Sequence, residues 1–216
     1  MINESHKIAP EGYRIILFSA LVAAGLFFLS FWAGLVGSFW AIFCLAFFRS
    51  PTRVTPSEVG LLIAPADGKV VFVGKAFEPH LAKTEMTRVS IFMSPFNVHV
   101  NRSPASGTVT ATHYQKGKFL AAFDERAATD NEQSAVRLTT VDGQDIVFKQ
   151  VAGWFARRIV SYAKTGQTLE RGKLFGLIKF SSRMDVYFTD GYVPDVVVGA
   201  VVKAGESPLA RLKRPV

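Results

Sequence analysis

A mainly β domain behind an N-terminal helical hairpin is the fold class that this sequence predicts, and three observations predict it. From Ile15 to Phe48 there is no charged side chain, with Lys7 and Arg14 before the run and Arg49 and Arg53 after it. Beyond Arg53 the apolar residues come in short β-branched and aromatic segments divided by glycine and proline, as strands and turns do. No long pattern with a 3.6-residue period interrupts them.

As one helix the uncharged run would be about 50 Å long at roughly 1.5 Å per residue, well beyond a hydrocarbon core of about 30 Å. Ser30 and the small residues from Ala33 through Gly37-Ser38 divide it into two short helices, roughly Ile15 to Leu29 and Gly34 to Phe48. Basic residues at both ends suit a hairpin whose ends are both cytoplasmic. A single tilted helix with a buried extension is the alternative. A cleaved signal peptide fits less well, because its apolar core would run for about 7–15 residues to a small-residue cleavage site, whereas this run continues into Arg49. Residues 1–48 are therefore expected to anchor the chain in the cell membrane, and residues 49–216 to form one aqueous domain on the cytoplasmic side.

Within that domain the expected strands are Val70–Val73, Val89–Met93, Val98–Val100, Gly107–His113, Ala135–Thr140, Ile146–Phe148, Lys173–Phe180, Met184–Phe188 and Val196–Val202. Asp142-Gly143-Gln144-Asp145 supplies a hairpin turn. A helix has room only in parts of Pro194–Asp195 or Lys118–Phe123. A weak internal repeat supports the β reading: Pro65-Ala66-Asp67-Gly68-Lys69-Val70 and Pro104-Ala105-Ser106-Gly107-Thr108-Val109 share Pro-x-x-Gly-x-Val. The stretches Gly166–Phe175 and Val202–Leu209 resemble the turns of lipoyl-type domains, which points to a lipoyl-like, barrel-sandwich β domain. Such sandwiches carry many unrelated sites, so this says little about function.

The formal net charge is +8, and all of it belongs to the aqueous part, since Lys7 and Arg14 cancel Glu4 and Glu11. Arg157-Arg158 and Arg211, Lys213 and Arg214 suit either an anionic lipid surface, at about 1 kcal/mol each when close to it, or an ordinary solvated face. Nucleic acid is not expected as a partner: there is no recognition-helix pattern, zinc spacing or aromatic RNA-binding signature. Cys44 is the only cysteine and lies in the apolar run, so one chain can build neither a disulfide framework nor a cysteine metal site. That usage suits a reducing compartment.

Four histidines are available for proton transfer: His6, His80, His99 and His113. His6 precedes the anchor and reads as a solvated flank. Asp67 stands in an Asp-Gly pair, which a turn alone would explain. Ser181-Ser182 would be a plain serine pair in a turn were it not for the residues around it. A hydrolase triad of Ser182, His99 and Asp67 is conceivable, but no Gly-x-Ser-x-Gly elbow surrounds Ser182.

The stretch Phe175-Gly176-Leu177-Ile178-Lys179-Phe180-Ser181-Ser182-Arg183-Met184-Asp185-Val186-Tyr187 resembles the self-cleavage segment of the short-form (type A) phosphatidylserine decarboxylases. Ser94-Pro95-Phe96-Asn97-Val98-His99-Val100-Asn101-Arg102-Ser103-Pro104 and Pro65-Ala66-Asp67-Gly68 resemble two further segments of that family, whose long forms carry a second histidine where this chain has Arg102. With the apolar anchor, the resemblance covers nearly the whole chain.

What it implies is specific. Ser182 takes the place of the reactive serine, and Ser181 stands where the family usually has glycine. The Ser182 hydroxyl would attack the carbonyl of Ser181 to give an ester. Elimination would release residues 1–181, and hydrolysis would leave a pyruvoyl group capping residues 182–216. That covalent cofactor serves as an electron sink through a Schiff base with the substrate amine, the work pyridoxal phosphate does elsewhere. His99 is implied as proton donor and Asp67 as a candidate base for self-cleavage. The implied activity converts phosphatidylserine in the membrane to phosphatidylethanolamine and carbon dioxide, with the two subunits of one precursor staying together and a homo-oligomer left open. No metal is implied. Two rivals remain at this point: a pyruvoyl enzyme acting on another amine, and a non-enzymatic membrane-anchored adaptor built on lipoyl-like sandwiches.

Overall fold

The computed structural model describes residues 6–118, 120, 127–153, 158–179 and 182–213. Ser181, Phe180, Arg157 and Arg214 lie outside the described residues, as does most of the Lys118–Phe123 segment. The chain divides into two compact units, Ile2–Thr52 and Arg53–Val216.

In the first unit, α1 (Tyr13–Phe27) and α2 (Phe31–Phe47) form an antiparallel hairpin. The break comes at Ser30, whose hydroxyl accepts from the Ala33 amide at 3.1 Å and so answers an otherwise unpaired N–H of the first turn of α2. Gly34 and Gly37, expected to mark the break, lie inside α2 instead. They serve close approach: a Cβ on Gly37 would stand 2.9 Å from Ala23 Cα, and one on Gly34 would stand 2.2 Å from the Phe27 ring. Small residues at a helix crossing let two apolar helices pack without a polar contact. Below the helices, Ala9 N donates to Phe48 O and Ser50 N to Lys7 O, closing the open end. Phe18, Phe28, Phe31, Trp32, Phe39 and Trp40 are exposed on the hairpin. Among the described residues Pro10–Phe27 is the one segment long and apolar enough to be a candidate membrane span.

The second unit is mainly β. Its largest sheet has eight strands, every neighbouring pair antiparallel, in the order β13 (Val201–Val202), β2 (Gly68–Glu78), β3 (Thr84–Met93), β11 (Ser182–Phe188), β7 (Asp145–Ala152), β6 (Gln133–Thr140), β5 (Gly107–Gln115) and β9 (Thr168–Leu169). Among the described residues it is accompanied by two three-stranded sheets: β4 (Val100–Arg102), β10 (Leu174–Lys179) and β8 (Arg158–Ser161), with β10 central, and β1 (Leu61–Ile63), β14 (Pro208–Leu212) and β12 (Tyr192–Pro194), with β14 central. Strand side chains alternate, so one face of the large sheet gives Ile91, Met93, Phe148, Met184 and Val186 to a core that also takes Phe175 and Ile178 of β10 and Leu209 of β14.

The Pro-x-x-Gly-x-Val repeat has a structural counterpart. Gly68 opens β2 and Gly107 opens β5, and a Cβ on either would stand 2.1 or 2.2 Å from a neighbouring carbonyl, Phe92 O or Thr139 O. Each strand then has a bulge, between Val70 and Phe72 and between Val109 and Ala111. Each is paired at its start by a two-residue edge strand, β13 on β2 and β9 on β5. A glycine at positive φ follows both edge strands, Gly205 (φ 80°) donating to Ala64 O and Gly172 (φ 83°) to Ser103 O. The eight-stranded sheet is thus finished at its two ends by the same device.

Two expectations are corrected. Val196–Ala200 is not strand: Gly199 (φ 96°) and an Ala200 N to Val197 O turn carry the chain round, and only Val201–Val202 pairs. Nor does a helix occupy Pro194–Asp195, since Pro194 ends β12; the other segment with room for one, Lys118–Phe123, lies mostly outside the described residues.

Candidate active site

Ser182 is the first residue of β11, in register with Met93 at the end of β3 on one side and Ala152 at the end of β7 on the other. Alternation turns Ser182, Met184 and Val186 to the core face and Arg183, Asp185 and Tyr187 to the other. The chain reaches Ser182 from Lys179, the last residue of β10, so the Phe180-Ser181 link joins the central strand of one sheet to an inner strand of another.

Ser182 is fully buried, and its hydroxyl donates to Met93 Sδ at 3.4 Å. Asn101 Nδ2 approaches the same sulfur at 3.8 Å. Gln150 Nε2 donates to Asn101 Oδ1 at 2.9 Å and to Val160 O at 3.3 Å. Gly176 makes room for this: a Cβ there would stand 2.2 Å from Val160 O and 3.0 Å from Gln150 Nε2. Asn101 and Gln150 were missed by sequence reasoning. The available signal was their position just after two expected strands, Asn101 behind Val98–Val100 and Gln150 behind Ile146–Phe148.

His99 is buried just ahead of β4, and its carbonyl accepts from Ile178 N at 3.3 Å, which sets it beside the strand that leads to Ser182. Asn97 shapes the approach. Its Oδ1 accepts from the Ser94 amide and hydroxyl, both at 2.9 Å, and its carbonyl lies 2.9 Å from His99 Nδ1. A carbonyl only accepts, so Nδ1 carries the hydrogen and Nε2 is the acceptor of the neutral ring.

Asp67 is held elsewhere. Arg53 Nη2 donates to both its oxygens, at 3.0 and 2.8 Å, and Ala204 N donates to Oδ1 at 2.7 Å. In the other half of the repeat the Ser106 hydroxyl accepts from Arg171 N in the same way. Each residue caps the turn that precedes a positive-φ glycine. His80 and His113 stack with ring centroids 4.6 Å apart, and burial, then Lys149 and His113, pull His80 below its ordinary pKa. His6 belongs to the N-terminal unit. Of the basic residues singled out, Arg211 is paired with both Glu58 and Asp195, while Arg158 and Lys213 are exposed.

The face of β11 turned from the core carries a buried charge cluster. Arg183 meets Asp185 through two contacts, 2.8 and 3.0 Å, and Lys149, also fully buried, lies 3.8 Å from Glu78 and 5.0 Å from the centre of the Tyr187 ring. Burial pushes the Asp185 carboxyl up, but Arg183, then Lys149 and Arg88, more than offset it and hold its pKa below the ordinary value. Burial depresses Lys149 despite Asp185 and Glu78, and drives the Tyr187 hydroxyl up to about 12.

A buried serine at a crossing between sheets, with a histidine fixed in one tautomer beside the incoming strand, can support acyl and proton transfer. Known proteins sharpen that chemistry. The family pattern for phosphatidylserine decarboxylase matches residues 40–210. Proteins named phosphatidylserine decarboxylase proenzyme from a Geobacter species, from Geobacter sulfurreducens and from Ruegeria pomeroyi are 46%, 44% and 42% identical to this chain. The alignments cover 98%, 98% and 94% of this chain and 100%, 100% and 94% of those proteins. Matched across most of its length by the pattern and end to end by such relatives, the chain belongs to the phosphatidylserine decarboxylase family.

Proposed function

We propose that the chain is the precursor of a phosphatidylserine decarboxylase, which divides between Ser181 and Ser182 and converts phosphatidylserine to phosphatidylethanolamine and carbon dioxide. The observation that carries this reading is Ser182 itself: a fully buried hydroxyl, on the first residue of an inner strand, at the family's reactive position. The surroundings fit a group made from that residue. Among the described residues Gln150 Oε1, on the neighbouring strand, has no hydrogen-bond partner, and the nearest sulfur answers the serine only weakly.

A pyruvoyl group on Ser182 would supply the electron sink that removal of a carboxyl group from an α-amino acid requires. The chain's own residues do the rest. β3 and β7 hold the start of β11 on both sides, Met93 and Ala152 keep its core face dry, and Arg183 is fixed from the opposite face by Asp185. His99, oriented by Asn97, is the proposed proton donor to the carbon that loses carbon dioxide. Asp67 remains a candidate base for self-cleavage, acting from its turn beside Arg53.

Residues 1–181 and 182–216 would stay together as subunits, because β11 pairs along its length with β3 and β7 of the larger piece. The hairpin would tether the enzyme to a cell membrane with the β unit on the cytoplasmic side, raising the effective concentration of a lipid substrate. The finer fold assignment belongs here too: the repeated glycine-marked corners suit a lipoyl-like barrel-sandwich. A non-enzymatic adaptor would leave the chain whole.

Intact-mass analysis of denatured protein tests the reading. The expected products are a 1–181 chain and a 182–216 chain blocked to Edman degradation, with decarboxylation of phosphatidylserine in vesicles. Ser182→Ala should be uncut and inactive. A single full-length species with an ordinary N-terminus would overturn it.

A further inference from the structure

Met93 Sδ faces two polar hydrogens, one from Ser182 Oγ at 3.4 Å and one from Asn101 Nδ2 at 3.8 Å, although a thioether is a weak acceptor. All three side chains are fully buried. An amide nitrogen carries two hydrogens, and among the described residues that sulfur is the only partner of Asn101 Nδ2. The orientation of this amide is set from behind. Gln150 Nε2 donates to Asn101 Oδ1 at 2.9 Å, which leaves the Asn101 nitrogen turned to the sulfur and polarises its N–H groups. Asn101 is therefore a strong donor, fixed in direction and poorly answered, sharing one sulfur with the hydroxyl of Ser182.

The proposed cleavage creates the acceptor that this donor lacks. Once the acyl group of residue 181 has moved from the Ser182 nitrogen to Oγ, the ester is eliminated: a base takes the Ser182 α-proton, the Cα–H electron pair becomes the Cα=Cβ bond, and the Cβ–Oγ bond breaks with both electrons going to oxygen. That oxygen leaves as part of the new carboxylate of residue 181. Negative charge thus develops at the Oγ position, inside a dry site where an unanswered carboxylate is costly. We propose that Asn101 donates a hydrogen bond to this leaving carboxylate, with Gln150 as the positioning residue that aims it.

The inference rests on the self-processing reading, and its test separates the two. The full chain is produced as the natural sequence and as Asn101→Leu, Asn101→Asp and Gln150→Met, and processing is followed by intact mass with and without hydroxylamine. In the natural chain, cleavage should be spontaneous. In both Asn101 variants the acyl shift should proceed while elimination slows about 10²-fold, the usual effect of losing one donor to a developing oxyanion. A full-length ester should then accumulate, which hydroxylamine splits into a 1–181 hydroxamate and a 182–216 chain that begins with an unmodified serine. Gln150→Met should show the same ester to a smaller extent. A variant that processes at the natural rate, or stays whole and resistant to hydroxylamine while melting like Ser182→Ala, overturns the proposal. So does loss of cooperative melting in both Asn101 variants, since a residue needed for folding needs no part in the reaction. If the natural chain is never cut, the self-processing reading falls instead.

Discussion

A single carbonyl decides what His99 can do. With its Nδ1 hydrogen held by Asn97 O, the ring offers Nε2 to the site, and in the proposed role it must gain a proton there before it can give one to carbon. A positioned acid contributes about 10²–10⁴-fold, so His99→Ala should still divide into two chains yet decarboxylate phosphatidylserine slower by that factor, measured as carbon dioxide release from a processed sample. Normal turnover in such a sample would shift the role to His80 or His113. The serine before the cut is the other test at this scale. If the bond before Ser182 needs a backbone geometry that glycine tolerates and serine resists at a cost of about 1–3 kcal/mol, Ser181→Gly should mature faster by about tenfold for each 1.4 kcal/mol in a pulse-chase experiment. Slower maturation would mean that the Ser181 hydroxyl assists instead. Ser182 and His99 were legible in the sequence because each sits in a contiguous motif. The Met93, Asn101 and Gln150 cluster was not, because its members come from β3, β4 and β7 and meet only when two sheets close on one another.

Among the elements, β11 is the most demanding, with the candidate serine on its core face and a buried charge cluster on the other. Asp185 there has a folded pKa below its unfolded value, so its ionisation stabilises the fold fully at pH above the ordinary carboxylate pKa, and that contribution disappears as pH falls through the folded value. Asp185→Asn leaves Arg183 and Lys149 buried without it and should cost about 3–5 kcal/mol at neutral pH. Its acid denaturation profile should also be flatter than that of the natural chain below about pH 4. In the hairpin, Gly37 sets how closely α1 and α2 approach, and Cys44 is buried against Ser19 at 3.7 Å. Gly37→Val should separate the helices and speed maleimide labelling of Cys44, the chain's only cysteine. The long strands were legible from β-branched segments ended by glycine and proline. β9 and β12 were not, since two or three residues carry no period, and of the expected Val196–Val202 only β13 is strand. Val196–Val198 misled because β-branched residues favour a strand only where a neighbour is there to pair with them.

For the whole molecule, the internal repeat explains why a short sequence similarity near Pro65 and Pro104 was worth reading: it marks the two ends of one sheet. Asp67 and Ser106, equivalent in that repeat, show that a residue can have a complete structural reason for its place, and Asp67→Asn should reveal whether chemistry is added to it. The proposed cut would fall between β10 and β11, so residues 182–216 would carry β11, β12, β13 and β14, which include an inner strand of the large sheet and the centre of a small one. Before division, these strands find their neighbours as parts of one chain. After it, the same pairing is an encounter between two molecules. Unfolded and diluted, the processed protein should therefore recover with a yield that falls as concentration falls, whereas Ser182→Ala should refold independently of concentration. Maturation would turn a fold governed by equilibrium into one that persists because its pieces separate slowly, and the order of events would be irreversible: the chain must fold before it divides.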